Sequence, residues 1–130
     1  MEKRLITTAA IFGLLAVVLG AFAAHGLQKF LEPIQIDSFK TGVRYQFYHA
    51  FLILFLANSK LISEKSKQYI FWFVLIGVIL FSGSIYVLNI DFFVFGFDIP
   101  VVPILTPIGG VLLIIAWALL IFNAFKIKKS

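Results

Sequence analysis

Residues 68–90 read QYIFWFVLIGVILFSGSIYVLNI, 23 positions without an Asp, Glu, Lys or Arg. As an α-helix at 1.5 Å per residue they reach about 34 Å, enough to cross the roughly 30 Å hydrocarbon layer of a bilayer. Within them, residues 74–81 are apolar throughout, so the period-two alternation of a barrel strand is missing. The segment reads as a membrane-spanning helix.

Three further stretches lack charged residues: 5–28, 45–59 and 99–125. The first and last are long enough to span. The middle one, at 15 residues, would reach only about 22 Å. A span there must take in Arg44 and Lys60, whose long side chains carry their charges back to the interface. The expectation is an all-α polytopic membrane protein, a four-transmembrane-helix bundle in a single domain over 1–130. Its spans fall at about 5–25, 42–61, 69–89 and 104–125.

Composition agrees. Apolar residues make up 62% of the 130 positions and charged ones 13%, with a mean hydropathy of +1.05. Soluble domains run at about 45–50% and about 25%, and a soluble fold of this size could not hide so much apolar surface. A soluble enzyme, a disordered segment and a nucleic-acid module are excluded. The chain has no Cys, which removes disulfides, iron–sulfur clusters and thiol catalysis. The net charge of +5 belongs to residues flanking apolar runs, so it points to topology and anionic headgroups rather than nucleic acid.

Eight of the eleven basic residues lie at the N-terminus (Lys3, Arg4), the second connection (Lys60, Lys65, Lys67) and the C-terminus (Lys126, Lys128, Lys129). Lys29, Lys40 and Arg44 lie on the other side, with four of the six acids (Glu32, Asp37, Asp91, Asp98). Positive loops stay inside, so both termini are expected in the cytoplasm. Lys3-Arg4 followed by an apolar run and Ala21-Phe22-Ala23 imitates a signal peptide. The run is nevertheless longer than the usual 7–15 residues, and retention as a span is expected. Ala9, Gly13, Ala16, Gly20 and Ala23 or Ala24 form a small-residue stripe suited to close helix packing. The third connection, 89–103, carries Phe92, Phe93, Phe95 and Phe97 with Gly96, Pro100 and Pro103, and reads as a loop folded into the outer interface.

Polar groups converge on the outer half of the spans. His25 ends the first. Tyr45, Gln46, Tyr48 and His49 lie on the second, Ser82, Ser84 and Tyr86 on the third, and Thr106 on the fourth, where Thr106-Pro107 reads as a cap and a first-turn proline. Gly83, Gly109 and Gly110 join Gly13 and Gly20 as expected packing positions. Polar side chains in hydrocarbon turn toward one another, so these residues are the candidate ligand or proton site. Equally, they can serve as interhelical hydrogen bonds.

Residues 20–27 (GAFAAHGL), 41–50 (TGVRYQFYHA), 80–86 (LFSGSIY) and 106–110 (TPIGG) resemble, in order and over nearly the whole chain, the YgdD/YwdK-like family of small four-span membrane proteins. The family has Gly where this chain has Ala23. The resemblance implies four spans and a bacterial plasma-membrane address, and no reaction. No span carries Asp or Glu, and no nucleophile–base–acid set can be assembled, so a non-enzymatic protein is expected. Its partners would be the lipid bilayer and a membrane protein or a second copy; no nucleic acid, cofactor or metal is expected. A small proton-linked carrier built on His49 is the alternative. A haem held by His25 and His49, or a zinc enzyme with two histidines and no intramembrane carboxylate, fits less well.

Overall fold

The computed structural model describes residues 1–128, except the side chains of Phe92 and Phe93. Four helices follow in order: α1 (Glu2–Ala24), α2 (Pro33–Asn58), α3 (Glu64–Phe95) and α4 (Val102–Phe125), with one 3₁₀ turn at Leu27–Lys29. There is no strand among the described residues. α1, α3 and α4 are each long and apolar enough to cross a membrane.

Local chemistry sets the boundaries. α2 begins at Pro33, whose fixed φ suits a first turn, and the Glu32 amide donates to Gln35 Oε1 at 2.9 Å. Ser63 opens α3 by accepting the Ser66 amide on its hydroxyl at 3.2 Å. α3 stops where Gly96 adopts φ +80°, a left-handed conformation that glycine enters without penalty.

Successive helices pack on one another: α1 on α2, α2 on α3, α3 on α4. The layers they form are those of an up-down-up-down bundle. At the end holding both termini, Leu5, Ala9 and Phe12 meet Ile53, Leu56, Ile70, Phe71 and Val74. At the opposite end, Ala16, Ala23, Leu27 and Leu31 meet Ile36, Phe39 and Val43. α2 is less apolar than the others, yet it runs antiparallel beside α1 and α3 through both layers.

Three sequence expectations change here. α2 starts nine residues before the expected 42, because the polar stretch 33–41 is helical rather than connecting. The loop expected at 89–103 is helical as far as Phe95. Asp91, buried despite its charge, accepts the Ile99 amide at 2.9 Å and ties the short turn back onto the helix end. The rings of Phe92 and Phe93 lie outside the described side chains, while Phe95 and Phe97 are exposed, with ring centroids 6.2 Å apart. Finally, α4 begins at Val102, so Pro107 sits inside the helix and Thr106 is not its cap. A proline there removes one intrahelical donor, which a membrane bundle tolerates where neighbours re-satisfy the backbone.

Close approach is made at Gly109, as expected, and also at Gly77 and Gly42, which the sequence did not single out. A Cβ on Gly109 would strike the α3 backbone, 2.8 Å from the Gly77 carbonyl oxygen, and one on Gly77 would meet Leu113 at 2.7 Å. A Cβ on Gly42 would come within 2.8 Å of the Tyr86 ring. Gly20 makes ordinary contact with Val43, and Gly110 with Phe81. Gly13 and Gly83 face open space, so the α1 stripe is not a continuous contact; its buried members are Ala9, Ala16 and Ala23.

Candidate functional site

One stripe of α2 carries Ser38, Gly42 and Gln46, each one turn below the last. It faces Asn89, Tyr86 and Ser82 of α3. Helical spacing puts each set on a single side of its helix. Asn89 Nδ2 donates to Ser38 Oγ at 3.0 Å and to its own helix at Ile85 O, 2.8 Å. Ser82 Oγ donates to the Gly42 carbonyl at 2.7 Å. Tyr86 OH donates to Gln46 Oε1 at 2.7 Å, and Gln46 Nε2 donates onward to the Phe12 carbonyl of α1 at 2.7 Å. Three helices are thus joined through one buried amide. Phe39 packs against the Tyr86 ring at 4.8 Å and closes the seam from above.

Three residues past Gln46, the α2 surface has turned toward α4. His49 is buried there, 3% exposed. Its Nδ1 lies 2.6 Å from the Tyr45 carbonyl, and Trp117 Nε1 donates to its Nε2 at 3.0 Å. A carbonyl can only accept and an indole N–H can only donate, so the bonding assigns the neutral Nδ1–H tautomer. A groove of about 280 Å³ borders this pair, lined by Tyr45, Phe81, Gly110, Leu113 and Ile114 together with His49 and Trp117. α3 and α4 are tied separately, through the Ser84 and Thr106 hydroxyls, and Ser84 also donates to Phe81 O at 3.0 Å.

The expected single layer is therefore a set of ties at several depths. Gln46, His49, Ser82, Ser84, Tyr86 and Thr106 all take part, but Ser84 with Thr106 stands apart from the α2–α3 seam. Tyr45 and Tyr48 are 40% and 53% exposed, so their rings border lipid rather than fill the interior. Tyr45 nevertheless stacks on His49, centroids 6.3 Å apart. His49 also lies deeper than its place in the sequence suggested. Gln46 bonds Phe12, near the middle of α1, and His49 is a further turn toward the termini. His25 caps α1 at the opposite end and is exposed. The two histidines are not brought together, and both ring nitrogens of His49 are engaged.

Sequence reasoning missed Trp117, Asn89 and Ser38. Asn89, one turn after Tyr86 and Ser82, was open to detection as the next polar residue on that face. Trp117 gave no such signal.

Residues 19–110 match the family model described as Protein of unknown function (DUF423). A UPF0382 membrane protein of Haemophilus influenzae is 38% identical over 129 residues, covering 99% of each chain. The UPF0382 membrane protein YwdK of Bacillus subtilis is 39% identical over 127 residues, 95% of this chain and 98% of that one. The UPF0382 inner membrane protein YgdD of Escherichia coli K12 is 33% identical over 132 residues, 99% and 95%. No solved structure matches. With its apolar helices and full-length relatives, this multi-pass bacterial inner-membrane protein belongs to the DUF423 family.

Proposed function

We propose that this protein is a non-enzymatic four-span bundle that acts through a lipid or membrane-protein partner, or by organising the bilayer around it. Both termini lie in the cytoplasm in this reading, as the distribution of Lys and Arg favours. The observation that carries it is how the buried polar side chains are used. Gln46, His49, Ser82, Ser84 and Asn89 each bond a group on another helix. Catalysis needs a reactive atom left free for substrate, and bonds of this kind hold spans together.

The groove at His49 favours a second reading, a proton-linked carrier, because it sets an ionisable ring beside a lipid-accessible space. Purified protein in liposomes loaded with a pH-sensitive dye separates the two. The bundle reading expects proton flux equal to that of empty vesicles. Flux that requires the protein and disappears in His49→Phe would replace it with the carrier.

A further inference from the structure

We propose that the pocket formed by the termini-side ends of α1, α2 and α3 binds one phospholipid headgroup bearing both a phosphate and a primary amine. This names the lipid of the partner reading above and rests on it. The pocket encloses about 390 Å³ and is lined by Glu2, Asn58, Ser59, Lys60, Glu64 and Lys67. Its lining holds two acids and two bases, so a purely anionic group would face both carboxylates and a purely cationic one both ammoniums.

Lys67 is the reason to expect an occupant. Its side chain is only 4% exposed, yet among the described residues its ammonium pairs with Glu64 Oε1 alone, at 3.4 Å, and that carboxylate is 66% exposed. An ammonium carries three donors, and leaving such donors unmet in a buried place is costly. A phosphate in the pocket would take them.

The backbone adds the same polarity. α2 ends at Asn58 and α3 begins six residues later, so the C-terminal end of one helix dipole and the N-terminal end of the other border the pocket, although Ser63 already accepts the Ser66 amide and the Ser59 amide already bonds the Phe55 carbonyl. Helix C-termini favour cations and N-termini anions. A headgroup with its amine toward the end of α2 and Glu2 and its phosphate toward Lys60 and Lys67 sets each charge beside an opposite one. The depth is also right. Tyr69 and Trp72, just beyond Lys67 on α3, are half-exposed aromatic residues of the kind that settle at headgroup level. An apolar groove of about 170 Å³ between α2 and α4 shares Ser59 and Ile62 with the pocket, so apolar surface adjoins the headgroup site.

The test is native mass spectrometry of the full chain released from nanodiscs of equal parts phosphatidylethanolamine, phosphatidylglycerol and phosphatidylcholine. One phosphatidylethanolamine should be retained about fivefold or more above either other lipid. Phosphatidylglycerol lacks the amine, and phosphatidylcholine lacks its N–H donors. Lys67→Met should abolish the preference, and Lys60→Gln, at an exposed loop position, should weaken it without a folding defect. Lys126→Gln, outside the pocket, should leave it intact. Equal retention of the three lipids, retention of phosphatidylglycerol as strong as that of phosphatidylethanolamine, an unchanged preference in Lys60→Gln, or displacement of the lipid by inorganic phosphate alone would overturn the site. None of these results bears on the proton-flux measurement, so the non-enzymatic reading stands or falls separately.

Discussion

Trp117 and His49 meet 68 residues apart in sequence, the indole N–H donating to imidazole Nε2 at 3.0 Å across the gap between α4 and α2. With Nδ1 held on the Tyr45 carbonyl, the ring has no nitrogen left for a ligand. The two rings also pack edge to face, centroids 5.9 Å apart. α2 and α4 also share the apolar core at the termini end, where Leu52, Ile53 and Leu56 lie in one cluster with Leu113 and Ala116, so this bond is a polar link within that contact.

Removing that bond should loosen α4. Trp117→Phe keeps an aromatic ring and loses the donor. A cost of about 0.6 kcal/mol, and at most about 2, is expected from interhelical bonds in membranes. His49→Phe should cost a similar amount, and the double variant little more than either single one. Reversible unfolding in mixed detergent micelles measures the cycle; strictly additive losses would mean that the two side chains do not interact.

Gln46 is the costlier position, because its amide serves two helices at once. Gln46→Leu leaves the Tyr86 hydroxyl without its acceptor, and an orphaned buried group costs about 1–3 kcal/mol. Adding Tyr86→Phe should recover part of that loss. The same unfolding assay checks it, and a double variant less stable than Gln46→Leu would refute the proposed tie.

Helix contact in this bundle is decided at Gly109 rather than Gly13. Gly109→Ala drives a methyl into the α3 backbone, and overpacking of this sort costs about 1–3 kcal/mol. Gly13→Ala meets open space and gains helix propensity, so stability should hold or rise slightly. Melting temperatures in detergent should separate the two variants; equal losses would contradict the packing described.

The helices were legible because charge-free runs in a chain this apolar have few alternatives. Their ends were less so. Residues 33–41 look polar enough for a connection, although Glu32-Pro33 with Gln35 is a start signal for a helix. Asn89 and Asp91 resemble loop residues, and their burial depends on Ser38 and on the Ile99 amide, neither of which is a local pattern. Gln46, Ser82 and Tyr86 were readable as a group because polar side chains in lipid seek one another. Their partners were not, since Phe12 and Gly42 contribute only carbonyls that every residue possesses. Trp117 in an apolar run passes for ordinary lipid-facing bulk, and only the fold reveals the histidine opposite it.

Orientation has its own check. Cysteines introduced at Glu32 and Glu64, both exposed and on opposite ends of the bundle, should differ toward an impermeant thiol reagent in intact cells. Labelling at 32 and not at 64 is expected with cytoplasmic termini; the reverse pattern would invert the protein.

In the proposed function the polar groups of the α2–α3 seam and the His49–Trp117 pair hold the bundle together and perform no chemistry. Complementation of a deletion strain by His49→Phe, scored against the amount of protein in the membrane, tests it most directly. His49→Phe is expected to have a lowered melting temperature and to complement in proportion to its abundance. A His49→Phe protein that inserts at wild-type levels, keeps its melting temperature and fails to complement would contradict it.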